Sequence, residues 1–390
     1  MNKRIVELAD SHKVIAILLP CLLTGGTEVA TLETAQAFQL LGYRVEIVVY
    51  FDEIDAAMLE AFTASGLVVH RLGVKRGAGI RSQWRLATGI LGVLLRKRYS
   101  IIWLQYMTPS LLPLALSRLF TQNLIAAVHV ASSHYSPAGL RRLRWLARHW
   151  CARFVCVSRT VANGIFGHEG AADRTMGRVV VIPNALDMSA MKTAPVRNWR
   201  VEAGWPEDVV VIGFAGRLAH IKGADLLIHA VAYLSGQGLP VRLVVVGDGA
   251  EEEMLRALTS QLGIHSITLF AGRVPRSEIY SAIKGFDIAA VPSREEGFGL
   301  SALEAMAAGI PVVASRVDAL QEVVLEGVTG LLCPVGNPES FADGLARFVD
   351  DPLLRKRMGT AGAVHVASMY DTPAYREQLA DMLRGLSAYS

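Results

Sequence analysis

Acidic side chains are absent from one long stretch of this chain. No Asp or Glu lies between Glu60 and Glu169, whereas that interval holds fifteen Lys and Arg residues. The rest of the chain keeps 24 of the 39 basic residues against all 35 acidic ones, so it is net acidic. Such a one-sided positive field favours an anionic partner: a phospholipid surface, a phosphate-bearing acceptor or a nucleic acid.

Cysteine is scarce, and its spacing lacks a metal-binding pattern. The four cysteines, Cys21, Cys151, Cys156 and Cys333, include no C-x-x-C pair. The chain therefore shows neither a cysteine metal site nor a disulfide framework, which fits a reducing compartment. No D-x-D motif follows a predicted strand either.

Uninterrupted apolar runs of membrane-spanning length are also missing. "KVIAILLPCLL" imitates a signal peptide, but twelve polar-rich residues precede it and no A-x-A site follows closely, so we predict a buried first strand. "IIWLQYMTPSLLPLALSRLF" is interrupted by Gln105, Thr108, Ser117 and two prolines. Because of these interruptions, we predict a strand followed by a helix there.

Apolar strand runs alternate with helical patterns along the whole chain. This alternation predicts an α/β fold of two Rossmann-like, doubly wound domains that face each other across a cleft. We place the first domain at residues 1–190 and the second at 205–371, with a helix at 372–390 packed back on the first. The proline-containing stretch "PNALDMSAMKTAPVRNWRVEAGWPED" is expected to be an irregular linker.

The segment "SREEGFGLSALEAMAAGIPVVAS" is the most informative one for function. It predicts a loop after a strand, then a helix and another strand, with Glu296 on the loop and Glu304 about one turn into the helix. Ligands bind at this edge of open α/β sheets. The N–H groups of Gly299, Leu300 and Ser301 would begin the helix and form an anion site.

Each of these residues also has a purely structural interpretation. Ser301-x-x-Glu304 fits a capping box, which needs no ligand. Glu296 fits an ordinary solvated carboxylate. The two interpretations of Glu304 are compatible, because Ser301 can cap the helix while Glu304 reaches a ligand.

Other candidates follow predicted strands. Arg217 and Lys222 flank the loop in "GFAGRLAHIKG" and suit a diphosphate, although a surface salt-bridge pair is the alternative. Gly25 and Gly26 allow close approach to a phosphate or sugar, or simply form a tight turn. His129 ends the strand "LIAAVHV"; a lone His is more often structural.

The basic interval contains the amphipathic pattern "RRLRWLARHW". Its basic residues alternate with Leu and Trp, which is typical of an interfacial membrane anchor. A core helix with a solvated basic face is the alternative. The expected membrane-facing residues are Arg141, Arg142, Arg144, Trp145 and Arg148.

Taken together, the chain resembles the retaining glycosyltransferase family GT4, which has the GT-B fold. The resemblance covers most of the chain and is strongest from Val211 to Val335. An ordered set of motifs is more specific than any single one. The motifs are Gly25-Gly26-Thr27-Glu28, His129, Val157-Ser158, Pro183-Asn184, Gly216-Arg217 with Lys222-Gly223, and Glu296-x7-Glu304.

The resemblance implies a role for each matching residue. Arg217 and Lys222 would hold the diphosphate as it leaves, and Glu296 would contact hydroxyls of the donor sugar. Glu304 would bind the ribose. The other expected donor contacts are Val274 at the base, the amides after Phe298 (Gly299, Leu300 and Ser301) with Gly25-Gly26 at the phosphates, and His129 beside the reacting sugar.

The resemblance also implies a glycosyltransferase that uses a nucleotide-diphosphate sugar, with retention and without a required metal or nucleic-acid partner. The acid-free interval suggests a lipid-linked saccharide acceptor and an anionic membrane surface, hence a cytoplasmic protein peripheral on the inner face of the membrane. The alternatives are a soluble acceptor, a GT-B nucleotide-sugar epimerase or a two-lobed binding protein. The segment "LQYMTPS" departs from the polar turn that relatives often carry, so the acceptor pocket transfers least.

Overall fold

The structure is a computed structural model. It describes residues 14–23, 25–77, 79–105, 111–172 and 178–387, with backbone only for 168–172 and 387. These residues form two compact units. The first comprises the described residues up to Ala185 together with those from Thr372, and the second comprises Leu186–Asp371.

The first unit is built on a parallel sheet of seven strands in the order β3-β2-β1-β4-β5-β6-β7. Its strands are mostly buried, as their continuous apolar runs require. The two apolar stretches form β1 and, in the second case, β4 followed by a helix at Leu112–Phe120, as predicted. The strands are β1 (Val14–Leu19), β2 (Arg44–Phe51), β3 (Val68–Val74), β4 (Ile101–Leu104), β5 (Leu124–Val128), β6 (Arg153–Cys156) and β7 (Val179–Val181).

Helices follow the strands of the first unit. They are α1 (Gly26–Leu40), α2 (Ala56–Ala64), α3 (Ile80–Leu94), α4 (Leu112–Phe120), α5 (Pro137–His149), α6 (Arg159–Ala172) and the C-terminal α16 (Thr372–Ser387). The last helix packs against the first, where the hydroxyls of Thr34 and Tyr375 lie 2.7 Å apart. The C-terminal segment is therefore part of the first unit.

The second unit has a parallel sheet of six strands in the order β10-β9-β8-β11-β12-β13. The strands are β8 (Val210–Ala215), β9 (Val241–Val246), β10 (Thr268–Gly272), β11 (Ile288–Val291), β12 (Val312–Ser315) and β13 (Gly330–Cys333). The helices are α7 (Met188–Thr193), α8 (Trp199–Ala203), α9 (Ala224–Gly236), α10 (Glu252–Gln261), α11 (Ile279–Lys284), α12 (Leu300–Ala307), α13 (Asp318–Val323), α14 (Pro338–Asp350) and α15 (Pro352–Met369).

Strand order locates the candidate site. In the second unit the order runs one way from β8 through β9 to β10 and the other way from β11 to β13. The loops after β8 and β11 therefore lie at the carboxyl edge where the strand order reverses, which is where open α/β sheets bind ligands. The predicted α/β fold of two doubly wound units is confirmed.

The stretch expected to be an irregular linker is instead structured. Residues from Leu186 belong to the second unit and include α7 and α8. Trp199 is fully buried, and its indole N–H donates to the carbonyl oxygen of Ala282 at 2.8 Å. Burial of this large side chain explains why the segment folds onto the unit despite its prolines.

A buried carboxylate near the start of β2 is surrounded by hydrogen-bond donors. Glu46 lies on β2 with a fully buried side chain, and it accepts hydrogen bonds from Lys97, from Tyr99 (2.9 Å) and from His70 (2.9 Å). Burial by itself raises the pKa of Glu46. The hydrogen bonds outweigh burial and hold the pKa below its ordinary value.

We predict that Glu46→Gln lowers the free energy of unfolding by roughly 2 kcal/mol at pH 7, because it leaves buried donors poorly matched. The carboxylate's contribution is present above the unfolded-state pKa, about 4.3, and is lost as pH falls through the lower folded pKa. Urea unfolding at pH 7 and pH 4 measures both effects. Glu53→Gln, which removes an exposed pair with Arg76, is the control and should cost less than about 1 kcal/mol. Equal losses in the two variants would contradict this interpretation.

Candidate functional site

Two loops of the second unit meet where the strand order reverses. One follows β8 and the other follows β11, and these strands are neighbours in the sheet. Gly223 ends the first loop with φ +68°, and a Cβ there would lie 2.1 Å from the carbonyl oxygen of Pro292. Only glycine permits this close backbone approach.

Lys222 and Glu296 form an ion pair between these loops. Lys222 Nζ donates to Glu296 Oε2 at 2.7 Å, and the hydroxyl of Ser293 lies 3.3 Å from the same oxygen. The carboxylate side chain is only 12% exposed. The structure therefore brings together the residues predicted for the diphosphate and for the sugar, and each neutralises the other.

A second ion pair joins the loop after β11 to the first turn of α9. Arg294 makes a two-pronged contact with Asp225 on α9, at 2.8 and 2.6 Å, and also donates to the carbonyl oxygen of His220. The backbone N–H of Arg294 donates to Ile221 O at 2.8 Å. Burial raises the pKa of Asp225, but the bonds from Arg294 outweigh it, so this pKa lies below its ordinary value. Arg294 thus fixes the geometry in which Lys222 meets Glu296.

The helix after the β11 loop starts differently from the prediction. Gly299 is the N-cap of α12, with φ +103° and no side-chain capping bond, and Ser301 is already the second helical residue. The capping-box interpretation of Ser301 and Glu304 is therefore wrong. The first N–H groups of α12 have no intrahelical acceptor, as at any helix start, so Leu300 and Ser301 keep the expected anion-binding geometry.

Glu304 pairs with an arginine, Arg276, that the sequence analysis did not identify as a site residue. Its side chain is 11% exposed, and Arg276 Nη1 donates to its Oε1 at 2.5 Å. Arg276 follows Val274 on the segment after β10, and Val274 is half-buried there. The carboxylate predicted to bind ribose thus already has one cationic partner.

The remaining predicted donor contacts differ in how available they are. Arg217 is exposed, and no hydrogen bond or ion pair from the described part of the chain reaches its guanidinium group. Phe298 is buried against Tyr370, with ring centroids 5.9 Å apart, so its side chain is part of the hydrophobic core. Only the backbone around Phe298 is left to contact a ligand.

In the first unit, the predicted residues lie at the carboxyl edge of the sheet. Gly25 is the N-cap of α1 and Gly26 its first residue. His129 follows β5, and neither ring nitrogen, both buried, has a hydrogen-bond partner within the described ranges. Burial lowers the pKa of His129 to about 4, so the imidazole is neutral at physiological pH.

The apolar face of the basic helix α5 packs against the core of the first unit. Leu143 and Leu146 are buried in the unit, whereas Trp145 is 48% exposed. The helix is therefore a core helix with a basic outer face. Its four arginines, Arg141, Arg142, Arg144 and Arg148, are exposed, as is His149.

The first turn of α3 also exposes apolar side chains, which the sequence analysis did not predict. Ile80 is 80% exposed and Trp84 65% exposed, and Arg81 and Arg85 lie beside them on the same helix. Apolar side chains four residues apart share one helix face. α3 therefore presents an uncovered apolar pair within the acid-free interval.

The structure also bears on metal binding, membrane spanning and disulfide formation. No group of three or more His, Cys, Asp or Glu that could hold a metal occurs in the residues that the structure covers. Within those same residues, no helix combines the length and the apolar character needed to cross a membrane. All four cysteines are free thiols.

Comparisons with known proteins agree with the fold. Residues 195–365 match the family model described as Glycosyl transferases group 1. Residues 24–190 match the model described as Glycosyltransferase Family 4. The two models thus follow one another along the chain, and the boundary between them lies near the boundary between the two units.

Several curated relatives carry the name D-inositol 3-phosphate glycosyltransferase. The protein from Corynebacterium urealyticum is 34% identical over 56% of this chain and 54% of its own length. The one from Kribbella flavida is 37% identical over 48% of this chain and 46% of its own length. The chain thus spans about half the length of the relatives it matches.

Solved structures match over nearly the whole chain. Anabaena Alr3699/HepE in complex with UDP and glucose has a TM-score of 0.81 and 22% identity, covering 96% of this chain and 100% of that one. Sucrose-phosphate synthase from Thermosynechococcus elongatus has a TM-score of 0.77 and 20% identity, covering 97% and 100%. At these identities the likeness concerns the fold.

The fold and the matches define the class of this protein. The chain has the GT-B fold, and both family models that it matches are those of glycosyltransferases. The GT-B fold predicted from the sequence is confirmed, and the prediction of a transferase enzyme agrees with this class.

We predict that Arg294→Ala loosens the two site loops without unfolding the unit. Loss of the Asp225 contact should speed amide hydrogen exchange in the loops after β8 and β11 by at least about tenfold, the factor that corresponds to 1.4 kcal/mol. Hydrogen-exchange mass spectrometry measures this. Arg256→Ala, which removes a surface pair with Glu252 in the same unit, should leave those loops unchanged. Unchanged exchange in Arg294→Ala would show that the pair does not hold the loops.

Proposed function

We propose that this protein transfers a sugar from a nucleotide-diphosphate sugar to an acceptor. The observation that carries the proposal is the Lys222–Glu296 pair, held at 2.7 Å between two loops at the strand-order reversal. An exposed cation, Arg217, and the start of α12 belong to the same two loops. Cations, a helix N-terminus and a carboxylate at one sheet edge suit a charged sugar nucleotide.

The charge of the donor accounts for the cations. When the sugar–phosphate bond breaks, negative charge grows on the diphosphate oxygens. Arg217 and Lys222 would stabilise that charge together with the N–H groups of Gly299, Leu300 and Ser301. The proposed reaction assigns no step to a metal ion.

Glu296 and Lys222 would exchange partners when the donor binds. A diphosphate is more highly charged than one carboxylate, so it competes for Lys222 Nζ. Glu296 would then be free to accept hydrogen bonds from sugar hydroxyls. Glu304 would accept from the ribose, and Val274 would contact the base.

The neutral His129 has a different role in this proposal. A neutral imidazole offers one donor and one acceptor, which suits a hydroxyl of the transferred sugar better than a phosphate. Gly25 and Gly26 would let the backbone approach the donor. Transfer with retention is proposed from the resemblance to the GT4 family alone.

For the acceptor, we favour a soluble, phosphorylated small molecule. The relatives named D-inositol 3-phosphate glycosyltransferase support this choice over a lipid-linked saccharide. The acid-free, basic interval of the first unit suits an acceptor with a phosphate group. The sequence alone had instead favoured a lipid-linked saccharide, with a soluble acceptor as the alternative.

A lipid-linked acceptor is the second candidate. It is favoured by the exposed Ile80 and Trp84 on α3 and by Trp145 on α5, which lie among arginines. Aromatic and basic side chains together suit an anionic membrane surface. In this version the protein would be cytoplasmic and peripheral on the inner face of the membrane.

We predict that Glu296→Ala slows donor hydrolysis by at least about tenfold, since a hydrogen bond to a charged group contributes about 1.5–3 kcal/mol. UDP-, GDP- and ADP-sugars are screened first with the wild type, and the best donor is then compared across variants. Glu252→Ala, on an exposed surface pair, is the control. Equal rates for Glu296→Ala and wild type would remove the sugar-binding role of Glu296. Conversion of the donor sugar to its epimer without any acceptor would instead identify an epimerase.

We predict that D-inositol 3-phosphate accepts the sugar at least about tenfold better than inositol, because the phosphate would lie in a basic field. Mass spectrometry of the products measures transfer. Equal transfer to both compounds would contradict an acceptor site that recognises the phosphate.

Transfer only to a lipid-linked saccharide would favour the second candidate. In that case binding to anionic vesicles should weaken with salt and with Trp84→Ala.

A further inference from the structure

Among the residues that the structure describes, a donor reaches one of the two carboxylate oxygens of Glu304. Arg276 Nη1 donates to Oε1 at 2.5 Å. Within the described residues, no donor reaches Oε2. Since a carboxylate accepts several hydrogen bonds, Oε2 remains able to accept from a ligand.

Arg276 is itself held in a defined orientation. Its Nη2 donates to the hydroxyl of Tyr280 at 3.0 Å, and its Cζ lies 4.9 Å from the centroid of that ring. Tyr280 is buried. A planar guanidinium can make both bonds at once, whereas a lysine ammonium lacks this fork. The guanidinium thus bridges α11 and α12.

Arg276 also connects two parts of the proposed donor site. It lies two residues after Val274, on the segment that follows β10. Glu304 lies on α12, 28 residues further along the chain. One side chain therefore ties the segment expected at the base to the carboxylate expected at the ribose.

We propose that Arg276 is a positioning residue that aims Glu304 at the ribose hydroxyls and thereby makes the site selective for ribonucleotides. The inference rests on the proposed function, because it requires a nucleotide donor. Removal of Arg276 leaves a buried carboxylate without its cation, which is costly. Glu304 would then turn to another donor or to water, and Oε2 would no longer be aligned with a ribose hydroxyl.

The ratio of two affinities tests this role. A site built to bind a hydroxyl discriminates strongly against an analogue that lacks it, because the buried acceptor is then left unpaired. UDP, GDP and ADP are titrated into the wild-type protein by calorimetry, and the tightest binder is compared with its 2′-deoxy and 3′-deoxy forms. We expect at least one deoxy form to bind the wild type about tenfold or more weakly.

In Arg276→Ala this ratio should fall below about threefold, chiefly because the ribonucleotide binds less tightly. Tyr280→Phe, a milder change that removes only the hydroxyl bond, should reduce the ratio in the same direction. Arg276→Lys should give an intermediate ratio, since it keeps the charge without the fork. A loss of folding alone would not reproduce this order.

Arg256→Ala is the matched control. Arg256 has the same kind of surroundings, with Glu252 at 2.8 Å and the Phe270 ring centroid 4.4 Å from its Cζ, outside the site loops. It should leave the ratio unchanged. A wild-type ratio near one, or an unchanged ratio in both Arg276→Ala and Tyr280→Phe, would overturn the inference while leaving the proposed function intact. Failure of every nucleoside diphosphate to bind the wild type would overturn both.

Discussion

A carboxylate removed from water needs a cation or several donors close by, and this constraint organises the candidate site. Three of the half-buried or buried acidic residues there each have a basic partner on another segment. The pairs are Asp225–Arg294, Glu296–Lys222 and Glu304–Arg276. The same constraint explains the network around Glu46 in the first unit. Charge pairing thus holds together loops that the sheet alone would only bring near one another.

The three pairs have different chemical consequences. Asp225–Arg294 is a two-pronged contact that also includes backbone bonds between the loops, so it suits a permanent clamp. Lys222–Glu296 joins a single ammonium to a single oxygen and can exchange partners when a diphosphate arrives. Glu304–Arg276 leaves one carboxylate oxygen to accept from a ligand. Under the proposed function, internal charge pairing at the site gives way to contacts with the phosphates and hydroxyls of the donor.

Much of this was predictable from the sequence, and the rest was not for identifiable reasons. Continuous apolar runs predicted buried parallel strands, and residues just after those strands, such as Arg217 and Glu296, were correctly placed at the carboxyl edge. Arg294 and Arg276 pair with carboxylates 69 and 28 residues away, and such distant pairing leaves no periodic signal. The capping box failed because a left-handed Gly299, rather than Ser301, begins the helix. The basic helix α5 was recognised, whereas burial of its apolar face depended on the surrounding core.

The exchange of partners by Lys222 is the central claim, and a crystal structure with the preferred nucleotide-diphosphate sugar tests it most directly. The measurement is the distance from Lys222 Nζ to Glu296 Oε2, which is 2.7 Å in this structure. The account predicts that Nζ moves to a diphosphate oxygen and that Glu296 bonds to a sugar hydroxyl, while Arg294 stays on Asp225. A bound donor with Lys222 still paired to Glu296, and with its phosphates held elsewhere, would contradict the account.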